Sequence, residues 1–207
     1  MEPLGLSRND NLAKTKHGRQ LFLLICCGLL LSVTSFSAMS VEEAYRAIPH
    51  RYTPFESKSV KMSPKEAAVL QEFFRLLNLA IIERVQAQAW FQSNGKRGVA
   101  FPNYQRSTDG LIVQLEALAL PESLKAVHRN VIDALKDQRA YFEEWQRTVR
   151  RGEPFKYPPG ASPHHPRVLN SSQKLQQAYG RLIQLYPQET ERIKQAFFDH
   201  LCALDFI

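Results

Sequence analysis

The chain has 207 residues, of which 44% are hydrophobic and 23% are charged, as in an ordinary folded protein. These proportions exclude a disordered or collagen-like chain, and the length leaves room for one domain beside a targeting segment. The formal net charge is +7. Because the N-terminus predicts export, we expect no nucleic-acid partner; lipid headgroups, anionic polymers or another protein are the expected acidic partners.

Residues 1–40 predict a signal peptide or a signal anchor. Basic residues precede an uninterrupted apolar run from Leu21 to Leu31, which is the order of a secretory signal. Small side chains at the end of this segment predict cleavage before Val41. A retained membrane anchor is the alternative, because residues 21–39 carry no charge over about the length that spans a bilayer. Both alternatives place the body outside the cytoplasm, in the periplasm if the source is a Gram-negative bacterium.

Residues 41–62 are predicted to form an extended arm, and residues 63–207 a helical bundle domain. The first long helix is predicted over Lys65–Asn94, a stretch without proline or glycine. It starts with the sequence Ser-Pro-Lys-Glu from Ser63, in which the serine and glutamate can cap each other and proline stands where no donor is lost. Its apolar residues cover a wide arc, so we expect this helix to contact several neighbours.

Two further helices are predicted between residues 110 and 151. A short one covers Gly110–Leu120 and ends before a proline. A long one covers Glu122–Arg151 and has a seam of residues spaced alternately four and three apart. The seam consists of Leu124, His128, Val131, Leu135, Gln138, Phe142, Trp145 and Val149.

The last two predicted helices are Ser172–Tyr186 and Gln188–Leu204, either separated or kinked at Pro187. The final helix carries Ile193, Phe197, Leu201 and Leu204 on one face, so we expect it to be docked on the body. No stretch shows strand alternation or a hairpin turn. The sequence therefore predicts an all-α bundle of four to six helices with long loops, preceded by the N-terminal signal or anchor helix.

Three stretches are predicted to lack helix, namely 41–62, 96–108 and 152–169. Each combines aromatic, proline and basic residues. The aromatic side chains either pin long loops to the bundle or form a recognition surface for a partner. The candidates for such a surface are Tyr45, His50, Arg51, Phe101, Tyr104, Phe155 and Tyr157.

Common catalytic and metal-binding motifs are absent from the sequence. It has no His-Glu-x-x-His, no glycine-rich phosphate loop and no Gly-x-Ser-x-Gly. No metal site or cofactor is indicated, and Cys202 is the one cysteine beyond the targeting segment. His128 stands in the seam, where its ring needs a polar partner such as Gln138 or a backbone carbonyl. These two residues are the candidates for a ligand-binding or sensor site.

Three functions are compatible with these features. The sequence favours an exported helical bundle, released or membrane-tethered, that binds a protein partner at or near the membrane or supports an envelope assembly without catalysis. The alternative is an extracytoplasmic bundle that binds or senses a small ligand or a metal. An enzyme without a local motif, such as a hydrolase or transferase, is the least favoured.

Overall fold

Six α-helices make up the computed structural model of this protein, which describes residues 39–48, 50–92, 104–157 and 164–205. The helices are α1 (Val41–Ala47), α2 (Pro64–Gln92), α3 (Tyr104–Glu116), α4 (Lys125–Arg150), α5 (Pro166–Leu185) and α6 (Glu191–Leu204), with 3-10 turns at Ser57–Ser59 and Glu122–Leu124. No strand occurs in these ranges, so the predicted all-α bundle is confirmed. All but the last two residues of the predicted signal or anchor segment lie outside them.

The helices pack in a closed ring. α2 contacts α3, α3 contacts α4, α4 contacts α5, α5 contacts α6, and α6 returns to α2. The contact between α4 and α5 is the most extensive of these, and α1 lies against α2. α2 therefore touches α1, α3 and α6, in agreement with the wide apolar arc that its sequence shows.

Two hydrophobic clusters fill the bundle. The larger one includes side chains from all six helices, among them Phe73, Phe74 and Phe197. The smaller one is mainly aromatic and consists of Ala87, Phe91, Tyr104, Tyr141, Phe142, Trp145 and Val168, with Trp90 and Phe155 packed against it. Stacked rings such as Phe91 and Trp145, whose centroids are 4.1 Å apart, add to the apolar burial.

Local signals determine where α2 starts and where α4 ends. At the start of α2, the Ser63 hydroxyl accepts from the Glu66 backbone N–H at 3.3 Å, and the Glu66 carboxylate accepts from the Ser63 N–H at 3.3 Å. This reciprocal cap is the one that the sequence predicts. α4 ends at Arg150, and Gly152 follows with a φ of +70°, which is the left-handed conformation that glycine adopts without strain.

The prediction of no helix in residues 41–62 is wrong at its N-terminal end. α1 forms there because Ser40 and Glu43 make a second reciprocal cap, with 3.2 Å from the Glu43 N–H to the Ser40 hydroxyl. Ala44 and Tyr45 are buried on the face that meets α2. Seven residues are too few for an isolated helix, so packing stabilises α1.

Three other helix starts differ from the predictions. α3 begins at Tyr104 rather than at Gly110, because the buried side chains of Tyr104 and Thr108 hold its first turns in the bundle. α5 begins at Pro166, and the His165 ring accepts from the Arg167 N–H at 3.1 Å as its cap. α6 begins at Glu191, where Thr190 caps it. The loops before α3 and α5 are therefore shorter than predicted, whereas the loop before α6 is longer.

The predicted burial patterns hold for α4 and α6 with local exceptions. On α4, most of the seam is buried, but Val149 is 39% exposed and His128 is half-buried. On α6, all four residues of the predicted apolar face have exposures of 2% or less. The last helix is therefore docked on the body, as expected.

Candidate functional site

A cleft of about 600 Å³ opens between the end of α1, the C-terminal half of α2 and the end of α6. Its volume lies within the range of small-molecule sites. Polar and apolar side chains both face it. The lining residues are Ala47, Ile48, His50, Arg84, Val85, Gln88, Ala89, Gln92, Cys202 and Asp205.

Arg84 provides a positive charge at this cleft. Its side chain is only 3% exposed. One guanidinium nitrogen donates to the Gln88 side-chain oxygen at 3.0 Å, and another donates to the Ala203 carbonyl at 2.7 Å. Burial lowers the pKa of the guanidinium to about 10, so it stays charged at neutral pH. The charge is thus fixed between α2 and the end of α6.

His50 lines the cleft from the segment that follows α1. Its backbone N–H donates to the Tyr45 carbonyl at 3.0 Å, and its ring lies 6.2 Å from both the Tyr45 and Phe198 rings. The Nε2 atom is buried and has no hydrogen-bond partner among the described residues. Buried polar atoms normally have a hydrogen-bond partner, so this nitrogen is a candidate contact for a molecule in the cleft.

Cys202 is a neutral thiol in this environment. Burial, together with the nearby carboxylates of Asp205 and Asp199, raises its pKa. Reactive cysteines have the opposite property, because the thiolate is the nucleophile. Burial therefore disfavours the thiolate form that nucleophilic attack by this sulfur would require.

An apolar groove of about 240 Å³ lies on the other side of the same helix end, between α5 and α6. Its lining residues are Leu175, Gln176, Tyr179, Phe198, Leu201, Cys202 and Asp205. The Phe198 side chain is 41% exposed and meets the Tyr179 ring at 5.6 Å. The groove and the cleft share Cys202 and Asp205, so the two concavities adjoin at the end of α6.

The predicted ligand or sensor residues, His128 and Gln138, are not brought together. His128 Nε2 lies 2.7 Å from the Leu115 carbonyl, which provides the backbone partner that the sequence allowed for. Gln138 is fully buried, and its amide donates to the Ser171 hydroxyl at 3.0 Å and to the Leu204 carbonyl at 2.8 Å. Neither residue lines the cleft or the groove, and both have structural partners.

The predicted partner-surface residues fall into separate places. Tyr45 and Tyr104 are 1% exposed, so they are core residues and not surface residues. Arg51 is exposed, whereas Phe101 lies outside the described residues. Phe155 and Tyr157 are half-buried: the Phe155 ring packs on Tyr141 of the smaller cluster, and the Tyr157 ring contacts the His165 ring at 4.9 Å. Of this set, His50 is the residue that lines the cleft.

Sequence reasoning missed the residues that α2 contributes to the cleft. Arg84, Gln88 and Gln92 recur every four positions and form one stripe on the helix. Arg84 also stands three residues after the buried Ile81, inside the apolar arc. A charged residue at an apolar position is the signal that could have indicated this site.

The described ranges contain no group of three or more histidine, cysteine, aspartate or glutamate side chains able to hold a metal ion. Among the same residues, no helix combines the length and the apolar character that crossing a membrane requires. No family model, curated protein or solved structure matches this chain.

Proposed function

We propose that this protein is an exported, non-catalytic helical module that binds a protein partner through the end of α6. Export rests on the basic and apolar order of the N-terminal sequence. The binding role rests on the adjoining cleft and groove. The side chains that we propose contact the partner are His50, Gln88, Gln92, Tyr179, Phe198, Cys202 and Asp205.

The junction of the two concavities is the observation that carries this proposal. The groove provides a concave apolar surface beside the partly exposed Phe198 ring, whereas the cleft provides the side-chain amides of Gln88 and Gln92. A protein segment lying across the end of α6 would place a large apolar side chain in the groove. Its polar backbone groups would then bind in the cleft. This combination of an apolar anchor and polar contacts is typical of protein recognition.

The charge of the chain specifies the partner further. Residues 41–207 carry 23 lysine and arginine residues against 18 aspartate and glutamate residues, and this net charge of +5 attracts an acidic protein and raises its association rate at low salt. We therefore propose an acidic partner that presents an extended segment with one large apolar side chain, located in the envelope or at the membrane. An anchored module would meet such a partner at the membrane surface.

Site-specific photocrosslinking tests this proposal. A photoreactive amino acid replaces Phe198 in one variant and Val113, which is 64% exposed on α3, in a control variant. We expect one acidic protein to be crosslinked in source membranes from position 198 and not from position 113. Identical products at the two positions, or none at 198, would refute the proposal.

Binding of the purified partner then provides the quantitative test. The variant F198A should bind at least about tenfold more weakly than the wild type, because it removes an apolar anchor that is worth more than about 1.4 kcal/mol. The variant V113A should bind as the wild type does. Raised salt should slow association in all three proteins. Equal affinity of F198A and V113A would exclude the groove as the binding site.

A small-ligand binder is the second candidate function, and the volume of the cleft favours it. About 600 Å³ with several converging polar groups suits an organic molecule of moderate size. Native mass spectrometry of protein isolated from its source tests this function. A bound small molecule that is lost in a Gln88→Leu variant would support this function. Folded protein that carries no small molecule would refute it.

A further inference from the structure

The chain around residue 40 has two conflicting roles. Its sequence predicts a signal-peptidase cut between Ser40 and Val41, since small residues stand at the preceding positions. In the structure, the same bond joins the cap of α1 to its first residue. A cut at this bond would separate the cap from the helix.

Ser40 is fully engaged in the cap. Its backbone N–H donates to the Glu43 carboxylate at 2.7 Å, its hydroxyl accepts from the Glu43 N–H at 3.2 Å, and its carbonyl accepts from the Ala44 N–H at 3.1 Å. The first two bonds involve N–H groups that a helix start otherwise leaves without a partner, and the third is the first backbone hydrogen bond of the helix. The hydrogen bonds from Ser40 also lower the pKa of Glu43. Ser40 is therefore an integral part of the first folded element.

Met39 belongs to the folded unit as well. Met39 and Val41 are partly buried and pack against the larger hydrophobic cluster, and the compact unit begins at Met39. Further along α1, Tyr45 is 1% exposed and its hydroxyl donates to the Asn78 side-chain oxygen at 3.3 Å. Contacts with the bundle thus begin before the predicted cut and continue beyond it.

We propose that the mature exported protein keeps Met39 and Ser40, so that the Ser40–Val41 bond is not the processing point. A chain starting at Val41 would place a charged α-amino group at the first position of α1. The partial positive charge of a helix N-terminus repels that group. The hydroxyl acceptor and the Met39 contact would be lost at the same time. This inference rests on the exported state that we propose above.

Mapping the N-terminus of the natural protein tests the inference directly. Intact mass measurement and N-terminal sequencing of protein from source membranes should give a first residue at Met39 or upstream of it. A first residue at Val41 or beyond overturns the inference and leaves export intact. An uncut protein in the cytosol refutes export, and the comparison of variants below then decides whether Ser40 is part of the fold.

The variant Ser40→Ala separates the two outcomes in the mature protein. Alanine is small, so a cut after residue 40 stays possible, but the hydroxyl acceptor is lost. If the mature chain keeps residue 40, its melting midpoint should fall by about 2–4 °C. If the cut occurs after residue 40, the wild type and the variant yield identical mature chains and identical midpoints.

Ser63→Ala provides the matched control. Ser63 makes the same pair of reciprocal bonds at the start of α2, with a further bond from its hydroxyl to the Glu66 carboxylate at 2.6 Å, and it lies beyond both predicted processing points. Its loss measures how far one serine cap moves the midpoint in this protein. A shift for Ser40→Ala comparable with that for Ser63→Ala supports the inference. No shift for Ser40→Ala, with a clear shift for Ser63→Ala, overturns it.

Discussion

Arg84 and Gln138 bind successive carbonyl groups at the C-terminal end of α6. Arg84 donates to the Ala203 carbonyl at 2.7 Å from α2, and Gln138 donates to the Leu204 carbonyl at 2.8 Å from α4. The last carbonyls of a helix have no partner within the helix, and a positive charge near them is favourable. The two side chains thus cap α6 and attach it to two other helices.

Removing the Gln138 cap should destabilise the protein. The variant Gln138→Leu keeps the approximate volume but leaves the Leu204 carbonyl and the Ser171 hydroxyl without this buried donor. We expect the free energy of unfolding to fall by about 1–3 kcal/mol, measured by urea denaturation. Gln177→Leu, on the exposed face of α5, is the control and should change it by less than about 0.5 kcal/mol. Equal effects of the two variants would contradict a capping role.

Glu189 should hold the arm onto the loop before α6. Its buried carboxylate accepts from the backbone N–H groups of Lys61 at 2.5 Å and Met62 at 2.8 Å. Glu189→Ala leaves both donors without this acceptor, so we expect a loss of about 1–3 kcal/mol and faster hydrogen exchange at residues 61 and 62. Glu191→Ala, at a 90% exposed side chain, should leave both measurements unchanged. Unaltered exchange in Glu189→Ala would exclude this role.

His200 should make the stability of the protein depend on pH. Burial lowers its pKa to about 4, against the opposing effects of the Ala196 carbonyl and Asp199, and the Tyr45 and Tyr52 rings pack around it. Between pH 6.5 and 4 the unfolded chain therefore binds a proton that the folded protein excludes. The free energy of unfolding falls as pH falls through this window, by about 3 kcal/mol at pH 4.

Variants at two histidines test whether this pH dependence comes from His200. His200→Gln removes the titrating group, so the slope of stability against pH between 6.5 and 4 should become shallower. His164→Gln, at an exposed position, should keep the slope of the wild type. The assignment to His200 is wrong if both variants retain the wild-type slope.

Two neighbouring phenylalanines on α6 should contribute very different amounts to the free energy of unfolding. Phe197 is fully buried and stacks with Phe55 and Phe74 at centroid distances of 6.0 and 5.8 Å, whereas Phe198 is 41% exposed. Phe197→Ala should lower the free energy of unfolding by about 3–5 kcal/mol. Phe198→Ala should lower it by about 1 kcal/mol or less, as calorimetry can show. Similar losses in the two variants would contradict the observed orientation of α6.

Deleting residues 193–207 extends this prediction to the whole C-terminal helix. The apolar residues that α6 buries contribute on the order of 10 kcal/mol before the entropy of ordering is subtracted, which is comparable with the net stability of a domain. The truncated protein should unfold or aggregate. Cooperative melting at the wild-type temperature would show instead that α6 is a detachable element.

The sequence by itself determined the all-α class, the two long helices and the docking of the last one. These features depend on signals within a few residues of one another: the Ser63 and Glu66 cap, the absence of proline and glycine from residues 65–92 and from α4, and the apolar face of α6. Such signals can be recognised in a single sequence because each helix contains its own capping residues and its own pattern of apolar residues.

Only the tertiary structure decided that the short helix α1 is stable, where α3 begins and which residues form the cleft. Tyr45 and Tyr104 belong to short helix segments that are stable because distant side chains cover them. Arg84 contacts the end of α6 across more than a hundred positions of sequence, and Gln138 caps the same helix end through a contact of the same kind. Such contacts arise from the packing of helices around a common core, which periodicity along one helix does not encode.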